Sequence, residues 1–147
     1  MYNALLSAHN LIRWIVVLAG VLAFVRAWRG WMTRATWTDG DLKAGKAFVW
    51  ATSLQFVLGI VLYAMSPLIR QGLGDMKAAM ADPNLRKMVV EHPVMMLISI
   101  ALVHIGAARV RKATSDSGRF QTATIWWGIA LASVLGFIPW GRPILPF

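Results

Sequence analysis

The run IVVLAGVLAFV at residues 15–25 decides the architecture, because it holds no charged or strongly polar side chain. It is the core of a mostly apolar stretch from about Ala4 to Val25. About 20 such residues suffice for a helix to cross the hydrocarbon of a bilayer. Three more segments have the same character, at about 47–69, 89–108 and 123–138. The last is short and is closed by Pro139, so it either stands with little tilt or borrows Phe120 and Trp140 at its ends. No segment alternates apolar with polar residues over the length of a membrane barrel strand. The reading is all-α: a transmembrane four-helix bundle forming a single domain over residues 1–147.

Composition agrees. Of the 147 residues, 58% are apolar and 14% charged, against about 45–50% and 25% in soluble domains. A chain of this length cannot bury such a surplus in a water-soluble globule, and its charge is too low for a disordered one. There is no Cys, which removes disulfides, iron–sulfur clusters and thiolate zinc sites. The net charge of +9 comes from basic residues placed between the apolar runs. That is the pattern of a membrane protein, not of a nucleic-acid-binding face. No positive region precedes the first apolar run, which is therefore read as a retained span and not as a cleaved signal.

Loop charges set the expected orientation. Arg26, Arg29, Arg34, Lys43 and Lys46 follow the first span, and Arg109, Arg111, Lys112 and Arg119 follow the third. The other side holds Arg70, Lys77, Arg86, Lys87 and Arg142, interspersed with Asp75, Asp82 and Glu91. The positive-inside rule then puts the first and third loops in the cytoplasm and both termini on the outer side. Trp28, Trp31, Trp37, Trp50, Trp126 and Trp127 fall near the inner boundary and Trp140 near the outer one, as an aromatic belt would. On the outer side Asp82-Pro83 reads as a helix start, so the third span begins near Pro83, and Pro93 bends it beside His92.

Ionisable residues inside a membrane are costly and mark functional sites. Here they are His9, Arg13, His92 and His104, with Glu91 at the edge. His9 lies 17 residues before Arg26, and His92 lies 17 before Arg109. Both therefore sit at one level, roughly 25 Å above the inner boundary, on parallel helices. Two imidazoles at one depth suit the axial positions of a single b-type haem in a bundle core; the alternative is that both bind headgroups or loop carbonyls without a cofactor. Arg13 shares the face of His9 and either meets haem propionates, snorkels outward or pairs with Glu91. Met96 and Ser99 follow His92 at four and seven residues and share its stripe, with Ser99 small enough to leave room for a flat macrocycle. His104 lies deeper and about 120° around the helix from His92. It finds no second His at its level, so one haem is expected, and His104 is read as a hydrogen-bonding residue inside the bundle. Gln55 is expected to hydrogen-bond a neighbouring helix, with a quinone contact as the alternative. Gly128, Ala132 and Gly136 form a small-residue stripe for close helix packing or for a partner subunit. No phosphate loop, nucleophile elbow or HExxH motif is present.

The segments MYNALLSAHNLIRW (residues 1–14), LRKMVVEHPVMM (85–96) and FIPW (137–140) resemble a group of small bacterial four-helix membrane proteins labelled cytochrome b-like. The resemblance rests on H-x-x-x-R-W (His9, Arg13, Trp14) and E-H-P-x-M-M (Glu91, His92, Pro93, Met95, Met96). It implies b-haem binding and electron transfer, with His9 and His92 as ligands. The 12-residue separation of His92 and His104 departs from the large respiratory cytochromes b, whose paired histidines face one side of a helix. The expected function is an electron-carrying subunit of a respiratory or photosynthetic complex, with bilayer lipid and other membrane subunits as partners. The alternative is a cofactor-free accessory subunit. A stand-alone enzyme is the less favoured reading.

Overall fold

The structure is a computed structural model and describes residues 1–141; Arg142, counted above on the outer side, lies outside them. The first helix, α1, runs Tyr2–Thr33, and α2 runs Asp39–Met65. Three short helices follow: α3 (Pro67–Gly74), α4 (Met76–Ala81) and α5 (Pro83–Arg86). A π-helical turn, Lys87–Glu91, joins α5 to α6 (His92–Lys112), and α7 covers Asp116–Phe137. Four rods, Tyr2–Thr33, Asp39–Met65, Pro83–Lys112 and Asp116–Phe137, are long and apolar enough to cross a membrane. No strand occurs among the described residues.

Local chemistry fixes where the rods begin and end. Arg34 closes α1 in the left-handed conformation (φ 53°), its N–H reaching the carbonyls of Gly30 and Trp31. Thr38 opens α2: its N–H (2.9 Å) and hydroxyl (2.6 Å) both donate to Asp41 Oδ2. The same carboxylate takes Arg26 of α1 at 2.9 Å, so one buried acid ties the first two helices together. Asp82 accepts from the N–H groups of Asn84 and Leu85, which makes Pro83 the helix start read from the sequence.

The rods are longer than the apolar segments alone indicated, because polar first and last turns continue the helices into the loops. The second span is also displaced, falling short only at its far end. It was expected to reach Ile69, but α2 stops at Met65. Pro67 holds Ser66 extended (φ −70°, ψ 123°), and Leu68 and Ile69 belong to α3.

The helices α1, α2, α6 and α7 close into a ring in which α1 packs on α2 and α7, and α6 on α7 and α2. The α2–α6 contact is the sparsest of the four. At the loop end, aromatic rings fill spaces that only glycine leaves. Phe48 lies against Gly20, Phe120 against Gly30, and Trp127 against both Gly45 and Gly106. Phe48, Phe120 and Trp127 are accordingly buried. One member of the expected aromatic belt is thus corrected: Trp127 is core, while the half-buried Trp37 ring packs on Phe120 at 4.8 Å. The Trp126 ring stacks under the Arg109 guanidinium at 4.9 Å. Of the small-residue stripe, Gly128 receives the Phe24 ring, whereas nothing packs against Gly136.

The interlock is testable. A Cβ at Gly30 or Gly45 overlaps the ring of Phe120 or Trp127. Gly30→Leu and Gly45→Leu should each cost about 1–3 kcal/mol or more by overpacking, read as a lower thermal midpoint in detergent. Gly136→Ala, in open space, should leave the midpoint unchanged or raise it.

Candidate functional site

Towards the end where α1 begins and α7 finishes, the solid core gives way to a cavity of about 310 Å³. Ligand cavities generally run from about 300 to 1,000 Å³. All four long helices supply its wall: His9, Asn10 and Arg13 from α1; Thr52, Gln55, Gly59 and Tyr63 from α2; His92, Met96 and Ser99 from α6; Val134 from α7. The five residues expected to hold a cofactor, His9, Arg13, His92, Met96 and Ser99, therefore all line one space. The two histidines approach it from α1 and α6, which face each other diagonally across the ring.

Each wall is a stripe at helical spacing. On α1, Arg13 follows His9 by four residues. On α6, Met96 and Ser99 follow His92 by four and seven. On α2, Gln55, Gly59 and Tyr63 succeed one another at intervals of four, which keeps them on one face. Gly59 lets the His9 ring lie close: a Cβ there would stand 3.4 Å from His9 Cε1. Gln55 Nε2 donates to the backbone carbonyl of His9 at 2.9 Å, which is the neighbouring-helix bond expected of it. Among the cavity residues, Gly59 and Tyr63 escaped the sequence reading, although their four-residue spacing from Gln55 was legible.

His92 is held from behind. Its Nδ1 lies 3.0 Å from the carbonyl oxygen of Phe137 at the end of α7. A carbonyl only accepts, so Nδ1 carries the proton and the lone pair of the neutral ring resides on Nε2. Ser99 does more than leave space. It is 1% exposed, donates to the Met95 carbonyl at 2.7 Å and shares a 2.8 Å hydrogen bond with Ser133 of α7.

Arg13 neither snorkels nor pairs with Glu91. Only 7% of it is exposed, and Glu91 is taken by Arg86 at 2.7 Å. Its guanidinium lies 5.6 Å from the Trp14 ring, which in turn packs on Trp140. Among the described residues no carboxylate pairs with it. Three buried polar atoms of the cavity residues have no hydrogen-bond partner there: His9 Nδ1, Arg13 Nε and Gln55 Oε1. Buried polar atoms are mostly satisfied; Trp14 Nε1 and Trp127 Nε1 are also unpaired outside the cavity, and what distinguishes the cavity is that three such atoms from two helices belong to its wall.

His104 lies outside the cavity. Its Nε2 meets Ser53 Oγ of α2 at 2.9 Å. The hydroxyl of Ser53 is already committed to the Val49 carbonyl, so His104 is the donor in that pair. The expected hydrogen bond is present, but on the exposed side of the α2–α6 seam and not inside the bundle.

Neither a family model, nor a curated protein, nor a solved structure matches this chain.

An uncompensated buried cation has a measurable signature. Holding one charge out of water costs several kcal/mol even after relaxation, and an apolar side chain of similar size avoids that cost. Arg13→Met should therefore raise the thermal midpoint of the ligand-free protein. Arg26→Met, which strands the buried Asp41 carboxylate, should lower it.

Proposed function

We propose that this protein is a membrane cytochrome of b type, holding one haem in the cavity between α1 and α6 and carrying electrons within a respiratory or photosynthetic membrane complex. On this reading it is a multi-pass protein of the bacterial inner membrane, with the cavity and both termini towards the outer side. The single observation that carries the proposal is the composition of the cavity wall: two histidines from diagonal helices, a buried arginine with no carboxylate partner among the described residues, and apolar side chains between them.

The donor set fits the group. Among the described residues, no three His, Asp or Glu side chains gather to hold a metal ion by themselves. Two imidazoles suffice only for a centre that brings its remaining ligands with it, as a porphyrin does. His9 and His92 would be the axial ligands, and the Phe137 carbonyl fixes the His92 tautomer as backbone carbonyls do behind many metal-bound histidines. Arg13 would neutralise a propionate. Gly59, Met96 and Ser99 would leave room for and pack against the ring. Haem, when bound, supplies reversible one-electron redox chemistry. The chain's own residues orient it, keep it in an apolar surround and set the field around it. The guanidinium of Arg13 favours the more negative, reduced state.

The test is spectroscopic. Protein purified from membranes, or titrated with haemin, should show a Soret band and a pyridine haemochrome signature of b-type haem at one per chain. His9→Ala and His92→Ala should each abolish the six-coordinate low-spin spectrum, and the double variant should bind no haem. Gly59→Leu, which fills the cavity beside His9, should lose haem while keeping its helical content. Arg13→Ala should lower the reduction midpoint by an amount on the order of 50 mV, the effect of one charge at short range in a partly polarisable interior. A protein that co-purifies with a larger complex and carries no chromophore would instead favour the cofactor-free accessory subunit.

A further inference from the structure

The helix that delivers His92 is broken immediately before it, and a residue of another helix completes the break. In a regular α-helix the Val89 carbonyl would accept the N–H of residue 93. Residue 93 is proline and has none. Just ahead of it the helix is widened: Lys87–Glu91 adopts π-helical pairing, and the His92 N–H reaches back to the Lys87 carbonyl. Val89 is 3% exposed, so its carbonyl cannot turn to water. It receives instead the hydroxyl of Tyr63 from α2, at 3.0 Å. Val89 is also clamped from the other side, where Gly72 of α3 leaves space for its side chain.

We infer that Tyr63 is a positioning residue for His92: by satisfying the carbonyl that Pro93 abandons, it holds the π-helical turn and thereby fixes where on the helix His92 points. A one-residue change of pairing rotates every following side chain by about 100°. The turn therefore sets whether the imidazole faces the cavity with Nδ1 on the Phe137 carbonyl or swings away from both. Without the hydroxyl, the cheapest repair for Val89 is a shift in pairing on the turn that precedes His92. The role of His92 as a haem ligand rests on the proposed function; the control of its orientation by Tyr63 does not.

The two claims separate experimentally in the full-length protein in lipid nanodiscs. With haem, Tyr63→Phe should weaken affinity about 10–100-fold, the usual effect of losing an outer-shell partner. It should also let the ferrous form bind carbon monoxide, because the His92 position yields. Adding Pro93→Ala restores an N–H for Val89, so Tyr63→Phe with Pro93→Ala should recover affinity and resistance to carbon monoxide. A merely destabilising Tyr63→Phe would not be rescued this way. Without haem, ¹⁵N NMR of histidine-labelled protein reads the His92 tautomer directly, with His9→Ala and His104→Ala assigning the signals. Wild type should show a fixed Nδ1–H form, and Tyr63→Phe should show exchange between tautomers. If wild type takes up no haem, the proposed function fails, and the NMR arm still decides the role of Tyr63. An unchanged His92 tautomer in Tyr63→Phe, or failure of Pro93→Ala to rescue a haem-loaded Tyr63→Phe, overturns the inference.

Discussion

Glycine opposite an aromatic ring is the contact on which the rest of this bundle depends. Between helices in lipid there is little hydrophobic gain from association, and close packing must supply the attraction. Phe120 on Gly30 and Trp127 on Gly45 and Gly106 do so at the loop end, where backbones come near enough for large rings to reach across. The buried Arg26–Asp41 pair adds a polar fastening at that same end. With the helices registered there, the opposite end can be built of residues that do not pack. Gly59 has only the edge of His9 before it, and α2 and α6 touch least. A tight end and a hollow end are thus two halves of one arrangement.

Much of this was legible beforehand. Four apolar runs gave four helices long and apolar enough to cross a membrane, the short fourth run being extended by the polar first turns of α7, and neither side-chain detail nor register enters that argument. The match in depth of His9 and His92 was equally readable, since rise per residue is fixed. Rotation was harder. Which face of α2 turns inward is set by where Phe48 and Trp127 lodge, so Gly59 and Tyr63 emerged only with the fold. The break at Ser66–Pro67 was present in the sequence, but the apolar pair Leu68–Ile69 beyond it masked the boundary. Trp127 looked like a belt residue because it is one position from Trp126; in a helix that step is about 100°, enough to separate boundary from core.

The polar inventory of the hollow end carries a thermodynamic argument independent of any name. A guanidinium taken out of water without an opposite charge costs several kcal/mol even after relaxation. The cation–π contact with Trp14 returns only about 0.5–2 kcal/mol of that. Arg26 at the loop end shows what a purely structural arginine looks like here: its Nε and Nη2 both donate to Oδ1 of the buried Asp41 carboxylate, whose Oδ2 accepts from Thr38. Arg13 has the burial without a carboxylate partner among the described residues. A deficit of this kind persists where it is offset when a ligand binds, and the sign of the charge states what the ligand must bring, which is negative charge.

That requirement narrows the ligand more than the histidines do. Imidazole pairs could serve a bare divalent cation, but a cation beside Arg13 would add charge of the wrong sign, and no third protein ligand gathers there among the described residues. An anionic lipid would satisfy Arg13 and leave the converging His9 and His92 without a purpose. A flat, apolar group with its own metal and acidic substituents answers each feature at once: metal for the imidazoles, carboxylates for the guanidinium, and a broad apolar surface for Met96 and the neighbouring side chains. The fixed tautomer of His92 points the same way, because a hydrogen bond from Nδ1 to a backbone carbonyl makes the opposite nitrogen the better electron-pair donor. The geometry thus asks for coordination, charge and flatness in one molecule, and this conjunction, more than any single residue, favours haem.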